Sequence, residues 1–239
     1  MFLELKYSYI GLCVPFIFVW FLFLIFSPNT RRRQLKLSLA KMPFGIAIDL
    51  FFFTDYWTPK SILSFQVGSV NILLESMLFA FFFGGIAAVA YQAIFRNKDK
   101  RNMEIKHSRL ALHYFTFFFI TIVLIMMGVN SIFATALGYG SSGIIMIFKR
   151  EASLESALLT SAFMTVLLFS VYYFGRILII NTEDILRSWW FLYDTPLDIR
   201  FANVPITELL WVICYGFTAG ARHNPIRKER SLSLQLNET

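Results

Sequence analysis

Charged residues are scarce in this chain. They occupy 15% of its 239 positions, whereas a soluble domain has about 25%. Hydrophobic residues occupy 57%, and the mean hydropathy is +0.61. A soluble protein of this length needs more polar surface to cover its core. The composition therefore excludes a soluble globular domain and predicts an integral membrane protein.

Cysteine and histidine are also rare, with two and three residues respectively. Cys13 and Cys214 lie in apolar runs without CxxC spacing, and the histidines form no HExxH or comparable pattern. The chain also has no glycine-rich dinucleotide or phosphate loop in the required context. We therefore expect no metal and no cofactor, and the side chains themselves must carry any chemistry.

Long apolar stretches recur along the chain, and a transmembrane helix needs about 20 such residues. The predicted fold is an all-α membrane bundle of about seven helices in one domain, residues 1–221, followed by a polar cytoplasmic tail, residues 222–239. The second span is the weakest, because it contains Lys41, Pro43 and Asp49. The predicted spans are Tyr9–Phe26, Leu39–Phe53, Val70–Phe95, Leu110–Met127, Ser131–Phe148, Leu154–Ile180 and Val204–Ala221.

Basic residues set the expected orientation of this bundle. With seven spans and the amino terminus outside, most of the 22 lysines and arginines fall in inner loops, as the positive-inside rule requires. The basic runs are then topology signals, and no nucleic-acid partner is expected. We expect the inner membrane of a bacterial cell, with the carboxy terminus in the cytoplasm.

Two glutamates lie inside predicted spans, Glu75 in the third and Glu208 in the seventh. An ionisable group at the centre of a membrane helix costs roughly 2.5–3.5 kcal/mol on insertion scales, so such residues face a protein interior and are functional candidates. Stabilisation of a carboxylate by the helix dipole is the structural alternative. We predict that Glu75 and Glu208 are catalytic and share one dry pocket near the outer surface.

A weak internal repeat pairs these two residues. Asp55-Tyr56-Trp57-Thr58-Pro59 precedes Glu75, and Tyr193-Asp194-Thr195-Pro196 precedes Glu208. The repeat predicts two parallel three-helix halves, about 9–95 and 131–221, with the fourth span as a connector. Further candidates for the substrate pocket lie in the same outer half of the bundle: Asp49, Asp55, Trp57, Pro205, Thr207, Trp211 and Asp198.

A carboxyl group in apolar surroundings stays protonated near neutral pH and can act as a general acid. Aromatic faces nearby stabilise a cation. This combination favours protonation of an alkene in a membrane-soluble isoprenoid, with a hydrophobic isoprenoid or lipid as the substrate. It equally suits the proton relay of a small proton-coupled transporter.

The motif around Asp55 and the segment Leu74-Glu75-Ser76-Met77-Leu78 resemble the lycopene cyclase domain family of membrane proteins, as does Val204-Pro205-Ile206-Thr207-Glu208. This resemblance covers roughly residues 40–221. It implies a small helical membrane protein, of a family found as two separate subunits or fused in tandem, that cyclises the ends of a polyene by acid catalysis without redox chemistry, as an intramolecular lyase or isomerase. A homo-oligomer is also compatible with the sequence.

The sequence departs from the family pattern at both acidic motifs. The family has Pro-x-Glu-Glu or Pro-x-Glu-Asp, whereas Pro205-Ile206-Thr207-Glu208 keeps only the final acid. The first half has Glu75-Ser76 where the family has an acidic pair. A redirected isoprenoid enzyme, a non-catalytic membrane assembly partner and a small transporter are therefore all compatible with the sequence.

Overall fold

The computed structural model describes residues 5–68, 70–95, 107–149, 152–178 and 182–223. The described part is mainly helical, which agrees with the expected fold class. Its helices are α1 Leu5–Phe26, α2 Arg31–Lys41, α3 Phe44–Phe52, α4 Leu74–Ile94, α5 His107–Met126, α6 Ser131–Phe148, α7 Leu154–Leu178, α8 Thr182–Trp189 and α9 Ile206–His223. Two short antiparallel hairpins join them, β1 Ser64–Val67 with β2 Val70–Leu73 and β3 Arg200–Phe201 with β4 Val204–Pro205.

Four of the described helices are long and apolar enough to cross a membrane: Lys6–Phe26, Leu74–Ile94, Ser131–Phe148 and Leu154–Gly175. Helix α5 contributes a shorter apolar stretch, Ala111–Met126. A helical membrane bundle fits these features, but the predicted count of seven spans is not reached among the described helices. Helix α9, which carries Glu208, is outside the group of four.

The predicted second span is two helices rather than one. Helix α2 ends at Lys41 and α3 begins at Phe44, because Pro43 has no N–H to continue the hydrogen-bond ladder. Together they run antiparallel to α4. Lys41 contacts Gly84 in the middle of α4, and Gly45 packs on the backbone of Met77 nearer its start. Lys41 is therefore a buried residue that faces α4.

The third span begins later than predicted. Residues 70–73 form β2, whose register pairs Ser64 with Leu73 and Val67 with Val70, so the helix begins at Leu74. The last span likewise begins at Ile206 instead of Val204, after the β3–β4 hairpin. Both candidate glutamates consequently lie in the first turn of their helices.

Helix α9 lies between α6 and α7, and glycines allow the close approach. A Cβ on Gly216 would lie 2.8 Å from the Cα of Ser161 on α7, and one on Gly143 of α6 would lie 2.6 Å from Phe217. Small residues at such crossings let membrane helices pack backbone to backbone.

Helix α9 also extends further than the predicted domain end at residue 221. It continues to His223, and Arg222 is buried at its end. The remainder of the predicted tail, residues 224–239, lies outside the described residues.

Candidate functional site

Glu208 is held in a fixed position at the start of α9. Its carboxylate accepts a hydrogen bond of 2.8 Å from the Tyr56 hydroxyl, and that hydroxyl lies 3.2 Å from Oγ1 of Thr207. Because Tyr56 donates to Glu208, the Thr207 hydroxyl can donate to Tyr56. Tyr56 is fully buried and packs edge-on against Phe52 and Trp190. Tertiary packing thus orients the acid.

A cavity of about 40 Å³ opens beside Glu208, which is room for roughly three water molecules. Its wall is largely aromatic. The polar groups in that wall are few, so a bound apolar group would contact ring faces and one carboxyl group. Residues lining it include Tyr9, Phe52, Tyr56, Trp57, Phe79, Tyr172, Glu208 and Trp211.

A second carboxylate is linked to this cavity through two hydroxyl groups. The Ser76 hydroxyl donates to Oδ1 of Asp49, and the Tyr9 hydroxyl lies 3.1 Å from Ser76 Oγ. Because the Ser76 hydroxyl group donates its hydrogen bond to Asp49, the Ser76 oxygen accepts a hydrogen bond from the Tyr9 hydroxyl. Tyr9 lines the cavity. The chain Tyr9, Ser76, Asp49 therefore connects the cavity to a carboxylate that is completely buried.

Asp49 also organises the backbone around it. Its Oδ2 accepts the N–H of Leu73 at 2.8 Å, at the junction between β2 and α4. The polar residue that weakened the predicted second span is thus an anchor between α3 and the start of α4.

Glu75, the other predicted catalytic residue, does not line either described cavity. It is buried, and its Oε1 accepts the N–H of Ile62 at 2.7 Å, which ties the segment before β1 to α4. Its Oε2 has no hydrogen-bond partner in the described part of the chain. The predicted shared pocket of Glu75 and Glu208 is therefore not found. The carboxylate connected to the cavity of Glu208, through Tyr9 and Ser76, is Asp49.

Asp55 has a structural position. Its carboxylate accepts from the N–H and hydroxyl of Ser131, and its carbonyl accepts from Asn130. These bonds satisfy donors at the start of α6 and place a negative charge at the positive end of that helix. Asp55 joins the loop after α3 to α6 and is not among the residues that line the two cavities.

The other predicted pocket residues divide into two groups. Trp57 lines the cavity beside Glu208, and Trp211 lines that cavity and its neighbour. Pro205 and Thr207 are buried just before and within the first turn of α9, where Thr207 supports Tyr56.

Asp198 belongs to the surface loop before α9. It pairs with Arg200, which also reaches Glu183. The Arg200 guanidinium lowers the pKa of Asp198 below its usual range, and the hydrogen bond to Asp198 raises the pKa of Arg200. Because the pKa of Asp198 is lower in the folded loop than in the unfolded chain, the ion pair stabilises the folded loop at pH values above the unfolded pKa of about 4. This stabilisation is lost as the pH falls through the lowered pKa of the folded state.

A second cavity of about 50 Å³ lies deeper along the bundle. It shares Ile48, Phe52, Phe79 and Trp211 with the first, so these four side chains separate the two spaces. At its far end are Lys41, Gly84 and Tyr215.

Sequence reasoning did not find Tyr9 or Tyr172 as cavity residues. It also did not find Ser76 as the link from Tyr9 to Asp49, and it did not pair Tyr56 with Glu208. Hydroxyl groups in an aromatic-rich chain carry no distinctive pattern. Lys41 could have been identified from the sequence as a candidate, because an ionisable residue in a predicted span is the same criterion that identified the two glutamates.

Among the described residues no group of three or more His, Cys, Asp or Glu could hold a metal ion. Comparisons with protein-family models, with curated proteins and with solved structures each find no match for this chain.

Proposed function

We propose that this protein is a membrane-embedded acid catalyst that protonates the terminal double bond of an isoprenoid chain and so starts its cyclisation or isomerisation. The observation that supports the proposal is the placement of Glu208: a buried acid, oriented by Tyr56, on the wall of a largely aromatic cavity. The resemblance of the Glu208 and Glu75 motifs to lycopene cyclase domains points to the same substrate class.

The chemistry is balanced without an oxidant or a reductant. Glu208 transfers its proton to one carbon of the terminal double bond, which leaves a carbocation on the other carbon. A neighbouring double bond attacks that carbocation and closes a ring, and loss of a proton from an adjacent carbon restores a double bond. The product is an isomer of the substrate, and general acid catalysis of this kind contributes about 10²–10⁴-fold.

Asp49 is the proposed acceptor of the departing proton. Tyr9 faces the cavity and leads through Ser76 to Asp49, so a proton can pass along two hydroxyl groups. Aromatic rings around the cavity, including Trp57 and Trp211, stabilise the intermediate cation by its attraction to their faces.

The size of the cavity limits what it binds at rest. A space of about 40 Å³ accepts the end of a chain and not its whole length. The side chains of Phe52 and Phe79, which divide the two cavities, would have to move apart for the rest of a long substrate.

Deuterium incorporation tests the proposal. Isolated membranes containing the protein are incubated in heavy water with lycopene, geranylgeraniol or geranylgeranyl phosphate, and the products are analysed by mass spectrometry. An acid-catalysed isomerisation yields a product that is one mass unit heavier for each chain end that reacts, because a solvent deuteron enters and a substrate proton leaves.

Glu208→Gln preserves the shape and the acceptor for Tyr56 but has no acidic proton, so we expect at least a hundredfold slower incorporation. Glu155→Gln changes an exposed carboxyl group in the first turn of α7 and should match the unaltered protein. No deuterium in any of the three substrates, or full activity in Glu208→Gln, would overturn the proposal. A transporter or an assembly partner would give no incorporation.

A further inference from the structure

Two buried cations lie close together and away from Glu208, Arg222 near the end of α9 and Lys41 beside the middle of α4. Lys41 is 8% exposed and Arg222 is 2% exposed. Both converge on one ring: Lys41 Nζ lies 5.4 Å and the Arg222 guanidinium 4.2 Å from the centroid of Tyr114. The two side chains are close enough for their positive charges to repel each other.

No acidic residue in the described part of the chain lies within salt-bridge distance of either cation. Lys41 has a hydrogen bond of 3.3 Å to the Tyr114 hydroxyl, whereas Nε and Nη2 of Arg222 are buried without a hydrogen-bond partner there. Glu155 begins the neighbouring helix but is exposed. Two adjacent buried charges that have no counter-ion among the described residues are costly, and a bound anion would remove that cost.

Lys41 connects this pair of cations to the candidate site, and Arg222 reaches Lys41 across the Tyr114 ring. Lys41 lines the deeper cavity, which shares Phe52, Phe79 and Trp211 with the cavity of Glu208. On α9, Glu208, Trp211, Tyr215 and Arg222 are spaced by three, four and seven residues, which places them on one face. Glu208 and Arg222 are about 21 Å apart along the helix axis.

We infer that Lys41 and Arg222 bind the phosphate group of a phosphorylated isoprenoid whose chain lies along this face of α9 and whose last double bond reaches Glu208. The inference rests on the proposed function and adds the substrate's head group. Phosphate fits better than a carboxylate because its charge near pH 7 is about −1.5 to −2, close to the two positive charges, and because a guanidinium binds phosphate through paired N–H groups. Stacked rings of Trp211, Tyr215 and Phe83 provide an apolar wall between the two ends.

Binding measurements test the inference separately from catalysis. The full chain is purified in detergent micelles, and the dissociation constants of geranylgeranyl phosphate and geranylgeraniol are measured, with inorganic phosphate as a competitor. We expect the phosphate ester to bind at least tenfold more tightly than the alcohol. Inorganic phosphate should compete only at far higher concentration, because it lacks the chain; equal competition would mark a site for free phosphate and overturn the inference.

Lys41→Met and Arg222→Met remove the charges and keep apolar bulk. Each should weaken binding of geranylgeranyl phosphate at least tenfold and leave geranylgeraniol unchanged, whereas Lys149→Met, at an exposed position, should alter neither. Unchanged affinity in both folded variants shows that the cations are only structural. If a variant does not fold, the comparison of ester and alcohol in the unaltered protein decides.

The two proposals can fail independently. Head-group-dependent binding without deuterium incorporation would remove the acid chemistry and keep the phosphate site. Deuterium incorporation into neutral chains, with no preference for binding the phosphate ester, would keep the acid chemistry and remove the phosphate site.

Discussion

At the residue scale, three of the acids predicted to form the site divide into one at the cavity and two that hold the backbone. Glu208 lines the cavity, while Glu75 accepts a loop N–H and Asp55 binds the start of α6. Burial in apolar sequence identified the candidates, but it could not separate these roles. The distinction depends on which backbone donors the fold brings within reach, and those donors come from loops far away in sequence.

Asp49 combines both roles, and its structural part can be tested by stability. Asp49→Ala leaves the Leu73 N–H and the Ser76 hydroxyl without their buried acceptor. An unsatisfied buried donor costs about 1–3 kcal/mol, so we expect the midpoint of thermal unfolding in detergent micelles to fall by several degrees.

The control for this prediction is Glu155→Ala, which removes an exposed carboxyl group. It should shift the midpoint by a degree or two at most, because exposed substitutions usually change stability by less than about 0.5 kcal/mol. Equal midpoints for Asp49→Ala and the unaltered protein would show that the anchor at the start of α4 contributes nothing to stability.

At the element scale, hydropathy located most helices but not their ends. The break at Pro43 was foreseeable as a weakness of the second span, because proline interrupts a helix. The β1–β2 hairpin could not be predicted in the same way, since Val70, Ile72 and Leu73 continue directly into the apolar run of α4. A short apolar run does not distinguish a strand from a helix, and only the pairing with residues 64–67 decides it.

Close contact between α3 and α4 predicts opposite effects for two glycine substitutions. In Gly45→Ala the new Cβ would lie 2.5 Å from the backbone of Met77, so the helices must separate. We expect a loss of about 1–3 kcal/mol of stability, as for other overpacked positions. In Gly140→Ala the nearest atom is Cys214 Sγ at 3.5 Å, an ordinary contact, and alanine's higher helix propensity should add up to about 1 kcal/mol.

Urea titration of both variants, followed by tryptophan fluorescence, measures the difference. Both variants replace a helical glycine with alanine, so the change in helix propensity has the same sign in both. Any difference in stability between the two variants therefore reports the contact distance of the new Cβ. A Gly45→Ala protein as stable as Gly140→Ala would mean that α3 is not seated on α4.

At the scale of the whole molecule, consecutive long elements alternate in direction. Helices α1 and α4 run in parallel, because Tyr9 contacts Ser76 and Trp20 approaches Gly85, and the α2–α3 pair runs against them. Helix α9 runs with α6 and against α7. This alternation is compatible with the seven-span topology proposed from the sequence, in which the weak α2–α3 pair and the polar α9 are also spans.

The proposed orientation places the β1–β2 hairpin outside and the end of α6 in the cytoplasm. Labelling of single cysteines tests this orientation. The two native cysteines, Cys13 and Cys214, are first replaced by alanine. A single cysteine is then introduced at one of two exposed positions, Ser64→Cys in β1 or Lys149→Cys after α6. In intact bacterial cells a membrane-impermeant maleimide should label position 64 at once and position 149 only after permeabilisation, because the basic inner loops stay in the cytoplasm. Labelling of both sites in intact cells would mean that α6 does not separate them across the membrane. The reversed pattern would contradict the proposed orientation and place Glu208 towards the cytoplasm and the Lys41–Arg222 pair towards the outer side.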